Sequence, residues 1–526
     1  MMDVMAGAHT IGRWLRESAA ASPTRIAVDD RGVRTDYRTL AARADALATR
    51  LSDAGYGAGQ RIATLSGNST DHVVALFACA ELGIAFVPLS WRLTPGELAA
   101  LIARTAPALM LIEDEHAALA SAALELVDAP VAQATLGVSG VEHEVPECAD
   151  AVPRRPARDD DPLLVIYTSG SEAAPKGVVL THENCFWNNL ALDRAMPLGA
   201  DDVVLAMLPQ YHVAAWNVQP LQAWWRGATV VLERSFDPGR VLQLIAERGV
   251  TAIMGVPTQY RMLQQHPLWR SADLSSLHRV VVGGATVPED LVANWAERGL
   301  AFTQGYGLTE AGPNVLYLAP ELVAGHPGAV GRPYPGVDAR LVDPASGLEL
   351  QGAATGELWV RGASVFGGYL DDPSATARAK QGEWLRTGDL LHRDADGIHR
   401  VVDRLKEIYV SGGENVAPAE VEQALDAHPL VSSSAVVGVP DVVWGERGIA
   451  FVVAAGPVSA DELRAFAAQR LASFKLPARI VFVDDLPRST IEKVARGRLR
   501  VMARDLLAES PVNEQPVKER HDHADR

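Results

Sequence analysis

The sequence predicts an α/β protein: a large N-terminal domain of stacked α/β layers that includes a small β subdomain, followed by a small α+β C-terminal domain. Three observations predict it. Helix-spaced and strand-like apolar stretches alternate from residue 37 onward. Between Gly356 and Val402 short strand-like runs are broken by Gly-Gly and Asp-Gly turns. Beyond Asp403 a second βαβ-like series begins. A chain of 526 residues has room for about three or four compact units.

Residues 39–54 carry apolar side chains at helical spacing, 61–66 form a short strand, and 69–82 are helical again. The segment 129–161, with its prolines and Arg-Asp runs, reads as a surface connection. The rhythm resumes with a buried strand at 162–168, a helix at 184–195, a strand at 202–208 and another at 251–256. Within the β subdomain, 357–361 and 398–402 read as strands. The last series has a strand at 407–410, a helix at 419–427 and a strand at 434–439, and ends near Leu507. The predicted domains are therefore 1–403 and 404–510, with 511–526 a polar, aperiodic tail.

Composition narrows the function. Hydrophobic residues make up 48% and charged residues 21%, the range of ordinary globular proteins. Forty-eight Lys and Arg against 65 Asp and Glu give a net charge of −17, which disfavours a phosphate-backbone grip and so a nucleic-acid partner. Cys79, Cys148 and Cys185 are too scattered for a disulfide framework or a zinc ribbon, which fits a reducing cytoplasm. No leader pattern opens the sequence, and no run of about 18 apolar residues predicts a membrane span.

Chemistry concentrates in loops. After the 162–168 strand comes Thr168-Ser169-Gly170-Ser171-Glu172-Ala173-Ala174-Pro175-Lys176-Gly177, a turn of hydroxyls, backbone amides and one lysine that can wrap anionic oxygens. It is not a Walker loop, because Gly177 follows Lys176 where that motif needs Ser or Thr. Thr303-Gln304-Gly305-Tyr306-Gly307-Leu308-Thr309-Glu310 offers a glycine-flanked aromatic, a hydroxyl and a carboxylate able to hold Mg²⁺ on a phosphate. Thr387-Gly388-Asp389 places a carboxylate in a turn, suited to the two hydroxyls of a ribose. Asp403-Arg404-Leu405-Lys406 marks the domain boundary, and Ile491-Glu492-Lys493 puts a lysine near the C-terminus.

Together these segments resemble the adenylate-forming superfamily of acyl-CoA synthetases, aryl-CoA ligases, luciferases and peptide-synthetase adenylation domains, in the family's own order from about Thr35 to Leu507. Supporting matches are Pro209-Gln210-Tyr211-His212, Gly283-Gly284-Ala285, Gly356-Glu357-Leu358 and Ser411-Gly412-Gly413-Glu414. The resemblance implies an acid–thiol ligase that activates a carboxylate with Mg-ATP to an acyl-adenylate, rotates a mobile C-terminal domain, and then admits CoA. It assigns Thr168, Ser169, Gly170, Ser171 and Lys176 to the phosphates, and Gly283, Gly284, Ala285, Gln304, Gly305, Tyr306 and Gly307 to the walls around adenine and substrate. It gives Thr309 and Glu310 to phosphate and magnesium, Asp389 and Arg404 to the ribose, Lys493 to the reacting carboxylate, and Lys406 to the hinge. Gly412 and Gly413 would line the CoA tunnel, His212 its gate, and Trp216, Met254, Gly255 and Val256 an apolar acyl pocket.

From the residues alone, His212 also reads as a hydrogen-bonded half-buried histidine, Lys406 as a solvated lysine, and Trp187, Trp216, Trp224 and Trp225 as core or pocket wall. Two positions depart from the family pattern, Ala173 and Glu492, where glycine is usual. A Cβ at 173 crowds the approach of phosphate oxygens. A carboxylate at 492 within ~4 Å of another anion costs about 1–4 kcal/mol at effective dielectrics from water-like to ~20. Both lie on the ATP side, so the expectation is that adenylation is weakened or lost and a preformed acyl-adenylate, supplied by a separate adenylating enzyme, is thioesterified. The alternatives are a complete ATP-dependent synthetase, a stand-alone adenylation enzyme, or a pseudoenzyme that binds nucleotide or acyl-CoA. A homo-oligomeric assembly stays open.

Overall fold

A computed structural model describes residues 9–137, 140–141, 145–168, 175–285, 287–411, 414–441, 444–488 and 494–509. Two compact units emerge: one takes the chain up to Thr387 together with Leu391–Val401, the other takes Gly388–Leu390 and the chain from Val402 on.

The large unit is layered α/β. Six strands lie parallel and adjacent in one sheet, in the order Phe302–Tyr306, Arg279–Gly283, Ala252–Gly255, Val203–Ala206, Thr229–Leu232 and Ile26–Asp30. A second sheet has Arg61–Leu65, Ala85–Leu89 and Leu109–Glu113 parallel at its centre, with Pro162–Thr168 and Lys176–Thr181 forming a hairpin on one side. The helix Thr70–Leu82 is capped by the Ser69 hydroxyl and buries all its side chains but Asp71 and Glu81, as a helix enclosed by the core must. Antiparallel strands Asp338–Val342 and Ala354–Arg361, with Trp384–Arg393 next to the latter in the same sheet, build the β subdomain.

The structure corrects the sequence reading in three places. The supposed surface connection contains the strand Gln133–Gly137, parallel to Leu109–Glu113, with Ala134 and Leu136 facing the core. Its five residues alternate too briefly to stand out, and its pairing is tertiary. The strand at 407–410 begins later, at Tyr409–Ser411, because Glu407 and Ile408 both donate to the Arg404 carbonyl and close a turn. The strand at 202–208 is shorter, Val203–Ala206, since Leu208 opens the turn that carries His212.

In the small unit, Tyr409–Ser411, Gly445–Ala454 and Val431–Asp441 are antiparallel, and Arg479–Phe482 adds a parallel strand. Helices Pro418–Asp426 and Ala460–Ala468 accompany the sheet. Asp403 ties strand to helix: its carboxylate accepts from the Ala419 amide at 2.9 Å, and burial raises its pKa. No helix among the described residues is long and apolar enough to cross a membrane.

Candidate active site

The predicted site segments of the large unit emerge at the carboxyl ends of neighbouring parallel strands, where open α/β sheets place their ligands. Val203–Ala206 leads to His212, Ala252–Gly255 ends beside Val256, Arg279–Gly283 leads into Gly284 and Ala285, and Phe302–Tyr306 leads into Thr309 and Glu310. Register locks them together: Met254 pairs with Val281, Gly255 with Val282, Gln304 with Val282, and Gly283 with Gly305. Met254, Val256 and Tyr306 are half-buried, while Gly284 and Ala285 are exposed. Gln304 is 1% exposed and its Nε2 has no hydrogen-bond partner among the described residues.

Glu310 sits in a single 3₁₀ turn, Thr309–Ala311. The turn before it is tight: a Cβ on Gly307 would stand 1.4 Å from the Pro313 carbonyl oxygen, so only glycine fits. Tyr369, which sequence reasoning missed, donates its hydroxyl to Glu310 Oε1 at 2.9 Å, and the Phe366 amide donates to the Glu310 carbonyl at 2.9 Å. Lys176 Nζ lies 5.3 Å from the centre of the same tyrosine ring. Thr168 pairs with Lys176 across the hairpin. Lys176, Tyr369 and Glu310 thus form one polar corner. A half-buried carboxylate steadied through one oxygen, with a hydroxyl and an ammonium nearby, suits a hard cation such as Mg²⁺ on phosphate oxygens.

The His212 turn is braced from behind by residues the motifs did not single out. Asn68 donates to the carbonyls of Leu208 and Glu233, both at 2.9 Å, and accepts from the Gln210 amide at 2.9 Å. His72 Nδ1 is 3.0 Å from Gln210 Oε1, and its Nε2 is 2.8 Å from the Thr64 hydroxyl. Both ring nitrogens are therefore engaged by neutral polar groups. Burial pushes the His72 pKa down to about 4, which keeps the ring neutral. Trp216 belongs to this brace and not to an open pocket surface. It is fully buried, lies edge-on to Phe86 and His72, and donates to the Gln210 carbonyl at 2.6 Å. Trp224 is core as well, while the His212 ring meets Tyr211 edge-on at 4.5 Å.

In the small unit, Asp389 and Arg404 come together, with Nε 2.9 Å from Oδ1. Lys406 follows in the turn that Glu407 and Ile408 close on Arg404, and burial followed by the Arg404 charge lowers its pKa. Ser169, Gly170 and Ser171, with Glu172 and Ala173, lie outside the described residues. So do Gly412, Gly413, Glu492 and Lys493.

Comparison with known proteins decides the family. A profile described as "AMP-binding enzyme" matches residues 15–370, and one described as "AMP-binding enzyme C-terminal domain" matches residues 420–493. The chain belongs to the AMP-binding, adenylate-forming enzyme family. It is an acid–thiol ligase of the acyl-CoA synthetase type. A feruloyl-CoA synthase from Amycolatopsis sp is 41% identical over 93% of this chain and 98% of its own length. An indoleacetate–CoA ligase from Aromatoleum aromaticum is 36% identical over 93% of this chain and 97% of its own. The crystal structure of ATP-bound MatB from Rhodopseudomonas palustris superposes with a TM-score of 0.86 at 30% identity, covering 95% of this chain and 100% of that one. The α/β architecture with a large N-terminal and a small C-terminal domain is the family's own.

Proposed function

We propose that this enzyme is a complete ATP-dependent acyl-CoA synthetase that converts an uncharged aromatic or otherwise apolar carboxylic acid into its CoA thioester. The observation that carries the reading is the polar corner of Lys176, Tyr369 and Glu310 at the carboxyl end of the parallel sheet. In the first half-reaction a carboxylate oxygen of the acid attacks the α-phosphorus of ATP, and pyrophosphate leaves with the electron pair of the broken P–O bond. Mg²⁺, when bound, offsets charge on the phosphate oxygens, and Glu310 is the residue that would hold it. Lys176 and Thr168 add donors on the phosphate side, and Lys493 offsets charge on the carboxylate and α-phosphate. Asp389 accepts from the ribose hydroxyls beside Arg404.

In the second half-reaction the CoA sulfur attacks the acyl carbonyl carbon and AMP leaves. By resemblance to the family, Gly412, Gly413 and His212 are the residues we assign to the thiol, and Lys406 the residue we assign to the hinge. Ala173 and Glu492 are then tolerated variants. The aromatic preference is supported by the names of the two relatives and by the absence of charged side chains among Met254, Gly255, Val256, Gly283 and Tyr306.

A panel of acids with Mg-ATP and CoA tests the reading. Ferulic-type and arylacetic acids are expected to give kcat/KM values at least ~10-fold above those of amino acids, whose ammonium group meets no counter-charge. Glu310→Gln is expected to lower AMP formation by about 10²–10³-fold while sparing thioester formation from a synthetic acyl-adenylate. Preference for an amino acid, or equal losses in both halves, contradicts it.

A further inference from the structure

We propose that three buried asparagines, Asn184, Asn188 and Asn217, are positioning residues that set the Glu310 carboxylate for the magnesium–nucleotide; the proposal rests on the reading of Glu310 given above. Asn184 and Asn188 stand one turn apart on the helix His182–Ala195, so both face the same side. Asn188 and Asn217 are completely buried and Asn184 is nearly so.

Their hydrogen bonds go to the two segments that flank Glu310. Asn188 Oδ1 accepts from the Asn314 amide at 3.1 Å, and its Nδ2 donates to the Asn217 carbonyl at 2.9 Å. Asn217 Nδ2 donates to the Gly312 carbonyl at 2.8 Å, and Asn314 Nδ2 returns to the Asn217 carbonyl at 3.1 Å. The chain immediately after Glu310 is thereby pinned at both Gly312 and Asn314. Gly312 has φ +109°, and a Cβ there would lie 2.9 Å from Asn188 Oδ1, so the loop rests directly on the amide. On the other side, Asn184 Nδ2 donates to the carbonyls of Ala363 and Val365, at 2.8 and 3.0 Å. The next residue is Phe366, whose amide holds the Glu310 carbonyl, and three residues further on Tyr369 holds Oε1. One helix face, with Asn217, therefore fixes the chain after Glu310 and the start of the segment whose Phe366 holds the Glu310 carbonyl and whose Tyr369 holds its carboxylate.

The chemistry of the amides argues for this role. Asn188 lies within its helix, where asparagine is a poor choice, and a buried amide without partners is costly, so an apolar side chain there would serve packing alone; Asn184 stands in the first turn, where its Oδ1 also accepts from the Thr181 amide at 3.0 Å. Here the amides of Asn184, Asn188 and Asn217 hydrogen-bond main-chain groups outside their own helices, which specifies where those segments lie.

Calorimetric titration of the full-length enzyme with Mg-ATP, and with AMP in the absence of magnesium, tests this. Asn188→Ala is expected to raise the Mg-ATP Kd roughly tenfold, the weight of one buried hydrogen bond, and to leave the AMP Kd unchanged. Asn184→Ala, at the edge of the lattice, shifts the same constant in the same direction and carries the test if the first variant does not fold. In a Glu310→Gln background Asn188→Ala should have no further effect, because it acts through the carboxylate. A weakened Glu310→Gln enzyme beside an unchanged Asn188→Ala enzyme overturns the proposal alone. Undiminished Mg-ATP affinity in Glu310→Gln overturns the reading of Glu310 and the proposal with it.

Discussion

The two units hold their functional residues by different physics. In the large unit the Glu310 loop and the His212 turn are fixed by neutral groups: a phenol, asparagine amides and an uncharged imidazole. In the small unit the corresponding ties are charged. Arg496 grips Glu422 through two hydrogen bonds of 2.6 and 2.9 Å and also donates to the Val436 carbonyl at 2.7 Å; Arg500 pairs with Glu407 beside Lys406, and Lys475 pairs with Glu420. Neutral ties keep their strength as the charge of a passing nucleotide changes, whereas charged ties respond to salt and to any nearby phosphate.

The largest expected effect lies on the charged side. Arg496→Met leaves Glu422 partly buried with its main counter-charge removed and should destabilise the small unit by about 3–5 kcal/mol, read as a lowered denaturant midpoint for that unit alone. A loss confined to the large unit would break the comparison.

Acid sharpens the contrast from the neutral side. His72 and His182 are both pushed down to about 4 by burial, against 6.5 when exposed. Between these values the unfolded chain binds protons that the folded unit refuses, so stability is full above pH 6.5 and lost as pH falls toward 4. At pH 5 the cost is on the order of 2 kcal/mol per histidine, partly offset by Asp71, which burial raises to about 6. Asp403 in the small unit, raised by burial, works in the opposite sense: its contribution falls as pH rises through its titration. Chemical denaturation at pH 7 and pH 5 should show the large unit losing more, and His72→Gln should reduce that pH dependence.

A smaller effect is expected at Tyr369. Tyr369→Phe removes one hydrogen bond to Glu310 and should raise the Mg²⁺ concentration needed for half-maximal adenylation by roughly fivefold to tenfold, with the KM for CoA unchanged.

The strand at 162–168 was legible in sequence because it is one contiguous apolar run. The Thr303 to Glu310 motif named its own carboxylate. What holds that carboxylate was not legible, since Tyr369 comes from 59 residues further along and Asn188 and Asn217 belong to separate helices. Gly307 was visible as a glycine, but the reason for it is the Pro313 carbonyl, which only the folded loop brings near. Trp216 was expected in the acyl pocket because its position matched the family's; burial against Phe86 and His72 makes it the support behind the His212 turn.

The most direct test of the whole account is acid-dependent exchange of labelled pyrophosphate into ATP by the purified wild-type enzyme, with ferulic acid as the acid and CoA left out. The account predicts exchange that requires both the acid and Mg²⁺, followed on addition of CoA by AMP and thioester in equal amounts. Thioester formed only from a synthetic feruloyl-adenylate, with no exchange from the free acid, would contradict it.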